Sequence, residues 1–386
     1  MKNIISKKVL DMQPSGIRVF FDLVLGMKDV ISLGVGEPDF ATPWNIREAG
    51  IFSLEKGFTT YTSNKGLMKL RLIIRNHVKK ISGVEYCPED EILVTVGVSE
   101  GFDLLLRTII SKGDEVLIPH PSFVSYAPLT ELCGGKPVLI GLSQENKFKL
   151  LPWMIDENCT KNTKAIILNY PCNPTGASYT RQELLELKKI IVKHNLLVIS
   201  DEIYGDLTYD FEHTPFVSLG GVKERTVYLN GFSKGYAMTG WRIGYACGPK
   251  EIISAMTKIH QYSIMCVATT SQWAACEALS YGERSVLEMK KEYAKRRNFV
   301  VERLNSMGLD CIMPEGAFYA FPSIKKISNN SLEFSSQLLK KKKVAVVPGG
   351  AFGTNSHIRI SYASKLEVLK EALTRIEDFL NSNERY

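Results

Sequence analysis

The chain has 386 residues, 45% of them hydrophobic and 23% charged, enough to bury a full core without disulfide or metal staples and, by length, roughly two to three domains. No uninterrupted apolar run reaches the roughly 18 residues of a membrane helix, and Met1 to Asp11 is polar and basic where a signal peptide would be apolar, so a cytoplasmic protein with no membrane partner is expected. The 48 basic and 41 acidic residues give a formal charge of +7. That surplus is dispersed; only Lys340 to Lys343 forms a run, read as a solvated helix end, and no nucleic-acid partner is expected.

The 8 cysteines fall singly, with no C-x-x-C pair, and the 6 histidines form no H-E-x-x-H. They read as buried thiols of a reducing compartment and packed or surface side chains, and no metal site is expected. Internal repeats and low-complexity linkers are absent from the sequence.

In chain order, the first forty residues carry turn signals at Pro14-Ser15-Gly16 and at Gly34-Val35-Gly36-Glu37-Pro38. They are too short to fold alone, and are expected to pack against the C-terminal part. From about residue 90, β-rich runs alternate with helical patterns: Glu91 to Val96 then Ser99 to Ile110; Glu115 to Ile118 then Tyr126 to Cys133; Ala165 to Leu168 then Arg181 to His194; then Leu196 to Ser200 and Thr226 to Leu229. Strands that are apolar throughout suit a mainly parallel sheet lying between helices, so the fold class is α/β. Gly282 to Met307 reads as a long charged helix. Strands at Phe318 to Phe321, Val344 to Val347 and His357 to Tyr362 follow, with a terminal helix from about Lys365. The expected layout is a large domain over 45–280 and a small discontinuous α+β domain from 1–44 and 281–386.

Ligands of open α/β sheets sit beyond the carboxyl ends of the strands. Four strand ends there carry chemistry. Val96-Gly97-Val98-Ser99 runs through glycine into a helix start that can hold a phosphate on backbone amides, or in which Ser99 is a plain N-cap. Ser200-Asp201-Glu202-Ile203-Tyr204 puts a carboxylate at the end of an apolar strand, or simply caps a turn. Asn173-Pro174-Thr175-Gly176 is, alone, a good turn. Lys234 and Arg359, taken singly, are surface residues more often than ligands. Neither a G-x-G-x-x-G nor a G-x-x-x-x-G-K-S/T occurs, so a nucleotide is a poor owner for the phosphate. Together, a phosphate cradle, a carboxylate, an amine and a guanidinium are what pyridoxal 5'-phosphate and a carboxylate-bearing substrate need: lysine for a Schiff base, a carboxylate for the pyridine nitrogen, arginine for a bidentate grip.

The stretch Gly231-Phe232-Ser233-Lys234-Gly235-Tyr236-Ala237-Met238-Thr239-Gly240-Trp241-Arg242-Ile243-Gly244 resembles the cofactor-attachment motif of the class I pyridoxal-phosphate aminotransferases of fold type I. The likeness extends through Ser15-Gly16-Ile17-Arg18, Leu33-Gly34-Val35-Gly36-Glu37-Pro38-Asp39-Phe40, Tyr61-Thr62-Ser63-Asn64-Lys65-Gly66, Asn173-Pro174-Thr175-Gly176, Asp201 to Tyr204 and Pro314-Glu315-Gly316-Ala317-Phe318-Tyr319. It is nearest the bacterial aspartate, alanine and N-acetyl-diaminopimelate aminotransferase subgroup. The resemblance implies that Lys234 forms the Schiff base and shuttles the proton, that Asp201 pairs with the pyridine nitrogen, and that Tyr204 and Asn173 bond the ring oxygen. By the same resemblance Phe123 stacks on the ring. The amides of Val98 and Ser99, the Ser233 hydroxyl and Arg242 hold the phosphate, with Tyr61 reaching across from the other subunit of a homodimer. Arg359 and the backbone at Gly36 then take the substrate carboxylate.

The implied reaction is ping-pong transfer of an amino group between an L-amino acid and a 2-oxoacid, with glutamate and 2-oxoglutarate as one pair. Aspartate-specific members carry a lysine where this chain has Ser99, and Glu100 beside it has the opposite sign. With Ile17 and Phe123 near the pocket, an alanine, branched, aromatic or long-chain donor is expected. A β-lyase on the same fold, or a non-catalytic sensor of the cofactor, are the competing readings.

Overall fold

A computed structural model describes residues 4–12, 16–17 and 27–382; Pro14, Ser15 and Arg18, singled out above, lie outside the described residues. Twelve strands occur among them: β1 Ile31–Ser32, β2 Ile92–Thr95, β3 Glu115–His120, β4 Lys136–Gly141, β5 Thr163–Asn169, β6 Leu197–Asp201, β7 Thr226–Gly231, β8 Gly244–Cys247, β9 Tyr319–Ala320, β10 Val344–Ala345, β11 Val347–Pro348 and β12 Ile358–Ser361. Seven form a central sheet in the order β2-β8-β7-β6-β5-β3-β4. Only β8 runs against its neighbours. Every residue of β2, β7 and β8 is buried, and helices cover both faces, which is why β2 and β7 read as apolar runs.

Two strands of this sheet do not announce themselves in the sequence. The first, β4, begins Lys136-Pro137 and lies at the sheet edge beside β3 alone, where a missing N–H is tolerated and side chains are partly exposed. The second, β8, begins at Gly244, the last residue of the cofactor motif, and is short. Its Gly244 is needed for space, because a Cβ there would lie 2.9 Å from the backbone nitrogen of Val98.

Helix boundaries follow local chemistry. The helix Arg181–Lys193 opens with a full capping box, in which Thr180 accepts from the Glu183 N–H and the Glu183 carboxylate accepts from the Thr180 N–H. The helix read as Gly282 to Met307 spans Glu283–Ser306, and the residues before it, Thr269–Tyr281, form a separate helix. Its Arg296 and Arg297 are nearly buried; Arg296 takes both oxygens of Asp39 at 2.8 and 2.9 Å, and Arg297 takes Asp210 and the Pro314 carbonyl. The lysine run closes the helix Ser331–Lys342, where positive charge suits the carbonyl end of the dipole.

The C-terminal part has a second core around Phe318, Val344, Leu373 and Ile376. The run read as one strand over Val344 to Val347 serves two sheets: β10 pairs in parallel with β1, and β11 pairs antiparallel with β12. The N-terminal segment is divided in its packing. Residues 31–33 join the C-terminal core, whereas the helix Lys7–Asp11 lies beside the helix Tyr126–Leu132, with Lys8 Nζ donating to the Leu132 carbonyl at 3.0 Å. The expectation that the whole segment packs on the C-terminal part therefore does not hold for Lys7–Asp11, because a lysine there answers an open helix-end carbonyl elsewhere.

Replacing Thr180 with Ala removes one half of the capping box and should cost about 1 kcal/mol of stability in urea unfolding, with Thr180→Ser restoring most of it; equal stability of all three proteins would contradict the capping role.

Candidate active site

The carboxyl ends of the central strands open on a cavity of about 650 Å³ lined by Gly36, Val98, Ser99, Phe123, Asn173, Asp201, Tyr204, Ser233, Lys234, Arg242 and Arg359. Eleven of the twelve site residues singled out from the sequence thus line one space. The exception is Tyr61, which is 80% exposed and does not line it.

Asp201 is the last residue of β6 and is buried. Its Oδ2 accepts from the Tyr126 hydroxyl at 2.6 Å and its Oδ1 from the Ile203 N–H at 3.3 Å. Burial pushes its carboxyl up to about 6, against those two hydrogen bonds, which favour the charged form. Lys234 lies three residues beyond β7, and its Nζ donates to the Gly36 carbonyl at 2.6 Å. Burial lowers this amine to about 8, with the charge of Glu37 the largest opposing influence. Both ionisable groups are thus brought nearer neutrality than they would be in water.

Arg359, on β12, is 2% exposed. Its Nη1 donates to Asn173 Oδ1 at 2.9 Å and its Nη2 to the Gly34 carbonyl at 2.7 Å, while its Nε has no partner among the described residues. The guanidinium lies 4.5 Å from the Tyr319 ring centroid and 5.1 Å from that of Phe352. A buried cation held only by neutral oxygens and ring faces is poised for an anion. Burial lowers its pKa as well. Tyr319 also meets Tyr204, hydroxyl to hydroxyl, at 2.8 Å.

The third cation, Arg242, has left-handed backbone at φ 50° and donates to the Thr239 carbonyl at 3.1 Å. Its Nη2 would stand 3.0 Å from a Cβ placed on Gly97, whose own φ is +72°. Only glycine opens this helix start to the guanidinium. The helix spans Gly97–Ile109 with Val96 as its N-cap, so Ser99 is a first-turn residue rather than the cap.

Sequence reasoning missed Tyr126 and Tyr319, which orient Asp201 and stack on Arg359. The Tyr126 bond spans 75 positions and the Tyr204–Tyr319 bond 115, so no local spacing marks either. Ser125, Asn169, Glu37 and Thr239 also line the cavity.

The chain matches the family described as aminotransferase class I and II over residues 28–376. It belongs to that family. The chain is 48% identical to an aspartate aminotransferase of Pyrococcus abyssi, over 95% of this chain and 96% of that one. It is also 44% identical to an aromatic-amino-acid aminotransferase of Thermococcus litoralis, over 97% and 98%. A crystal structure of an aromatic aminotransferase from Pyrococcus horikoshii superposes with a TM-score of 0.89 at 45% identity, covering 94% of this chain and 98% of that one. The protein is a transaminase dependent on pyridoxal 5'-phosphate, with the fold type I architecture of that family.

The residues present fit that cofactor. A lysine amine with lowered pKa and a buried carboxylate share the cavity, and a guanidinium lies against a glycine helix start that a Cβ would fill. In this aminotransferase, Tyr126→Phe should remove one charge-assisted bond to Asp201 worth about 2 kcal/mol, roughly a thirtyfold fall in kcat/KM, with little change in thermal stability. An unchanged kcat/KM would mean Asp201 needs no orientation from Tyr126.

Proposed function

We propose that this transaminase moves amino groups between apolar L-amino acids and 2-oxoacids, with glutamate and 2-oxoglutarate as one pair. The observation that carries the reading is the charge inventory of the cavity, in which every lining cation has a task other than the donor's side chain. Bound pyridoxal phosphate supplies a carbonyl that takes up the amino group and a ring that accepts electrons from the substrate's α-carbon.

The assignment of tasks is as follows. The Lys234 amine, near 8, has an unprotonated fraction at neutral pH that can act as nucleophile and then carry a proton to and from the α-carbon. Asp201, held by Tyr126, would serve the pyridine nitrogen as a carboxylate, since even a carboxyl at about 6 is mostly ionised at pH 7. Tyr204 and Asn173 would hold the cofactor's ring oxygen, and Phe123 would pack against its ring. Arg242, Ser233 and the amides of Val98 and Ser99 take the phosphate. Arg359, whose present partners are neutral, takes the α-carboxylate, with Gly36 beside it.

No cation is left over for a second carboxylate among the described lining residues, while Ile17, Val35, Phe102, Phe123 and Leu129 line the same cavity. An apolar donor side chain is the match. For glutamate and 2-oxoglutarate, the hydroxyls of Ser99 and Ser125, which also line it, offer neutral donors to the distal carboxylate.

A homodimer completes the site. Tyr61 is 80% exposed, and around it Phe58 stacks on Trp273 and Asn64 bonds the Met265 carbonyl; Met265 and Tyr262 are exposed as well. That apolar surface suits a second copy, to whose phosphate site Tyr61 would reach. A large domain over 45–280 and a small one from 1–44 and 281–386 meet at the cavity, bridged by Lys234 to Gly36, Thr239 to Glu37 and Arg359 to Asn173. A cytoplasmic location accords with 8 cysteines that are all free.

A donor scan tests the reading. Single amino acids are added to the cofactor-loaded enzyme without acceptor, and conversion of bound cofactor to its pyridoxamine form is followed by absorbance. Glutamate and aromatic or branched donors should drive it with release of their 2-oxoacids, and aspartate should lag by about tenfold or more, the scale of one lost charge-assisted contact. Fast conversion by aspartate with inert apolar donors would overturn the substrate class. Pyruvate and ammonia from a β-substituted donor, with no pyridoxamine form, would overturn transamination.

A further inference from the structure

Glu100 stands in the first turn of the helix Gly97–Ile109, one residue beyond Ser99. A carboxylate at that position favours the helix through its dipole, yet it repels an anion bound at the same helix start. The structure shows where its charge goes. Glu100 does not line the cavity; its Oε2 accepts from the Val96 N–H at 2.5 Å, and its Oε1 meets Nδ1 of His260 at 2.7 Å.

His260 belongs to the helix Lys250–Ser263 and is fully buried, at 0% exposed. Its Nε2 has no hydrogen-bond partner among the described residues, so Glu100 is the one polar group its ring engages there. A buried imidazole with half of its bonding capacity unmet is costly to keep. An ionised carboxylate only accepts, so in this contact Nδ1 is the donor to Glu100. At its other end the Glu100 carboxylate fixes Val96, the N-cap, directly before Gly97 with its φ of +72°. The turn that aims the Val98 and Ser99 amides is therefore tied, through one carboxylate, to a histidine 160 positions away.

We propose that Glu100 and His260 are a positioning pair for the cofactor phosphate: Glu100 fixes the Val96-Gly97 turn, and His260 draws the carboxylate's charge away from the bound phosphate. The pair rests on the assignment of the phosphate to Val98, Ser99, Ser233 and Arg242 made above.

The test compares two ligands of the apoenzyme, pyridoxal phosphate and pyridoxal, which lacks the phosphate. His260→Ala should weaken pyridoxal phosphate about tenfold and leave pyridoxal unchanged. Two changes should restore most of the loss: His260→Asn, which keeps a donor near Nδ1, and Glu100→Gln added to His260→Ala, which removes the unshielded charge. Equal weakening of both ligands, no weakening at all, or rescue by neither change would overturn the proposal. Where His260→Ala yields no folded protein, Glu100→Gln alone decides. It keeps an acceptor for Val96 and should bind pyridoxal phosphate at least as tightly as the parent; selective loss of that ligand would refute the charge argument. Arg242→Ala separates the two levels: it should abolish the preference for pyridoxal phosphate over pyridoxal, and an intact preference would show that the phosphate assignment itself fails.

Discussion

Removal of water from the carboxyl end of the central sheet is the constraint on which the site depends. The same burial acts in opposite directions on two groups, lowering the Lys234 amine to about 8 and raising the Asp201 carboxyl to about 6. In water an amine is almost wholly protonated at neutral pH and is no nucleophile. Here the sheet, its covering helices and the N-terminal segment at Gly36 hold both groups largely away from solvent, and the hydrogen bonds that remain choose which charge survives. Asp201 keeps its charge because Tyr126 and Ile203 donate to it, while Lys234 has one carbonyl partner and two ring faces.

The cations are separated by the same logic. Arg242 reaches the helix start through a left-handed backbone position and a glycine gap. Arg359 lies across the cavity on a different sheet, desolvated and bonded only to neutral oxygens. On the reading proposed above, a substrate carboxylate arriving there would meet a cation whose desolvation has already been met by folding, which leaves binding energy to orient the reacting carbon. Contacts of Gly36 with Lys234, Glu37 with Thr239 and Arg359 with Asn173 join the N-terminal segment and β12 to the central sheet at the cavity.

Much of this was legible in the sequence because the chemistry sits at strand ends, and buried parallel strands are conspicuous as apolar runs. Asp201, Lys234, Asn173 and the Gly97 helix start each follow such a run. Two kinds of feature were not legible. Edge and reversed strands lack the signature, as at Lys136-Pro137 in β4 and in the short β8. Contacts between residues far apart in the chain carry no local spacing: Tyr126 with Asp201, Tyr319 with Arg359 and His260 with Glu100 emerge only when helices pack on the sheet. The sign of Glu100 was plain from the sequence; that its carboxylate turns away from the cavity was not. The split of Val344 to Val347 between two sheets was likewise invisible, since a wholly buried run fits either partner.

The central claim is that burial leaves Lys234 with an unprotonated fraction at neutral pH. The most direct measurement is the rate at which the apoenzyme captures pyridoxal phosphate, followed by absorbance from pH 6 to pH 10. Deprotonation creates the nucleophile, so the rate should rise with pH through a midpoint near 8 and level off above it. A rate still climbing at pH 10 would show an amine with the ordinary pKa of water, and would contradict the account.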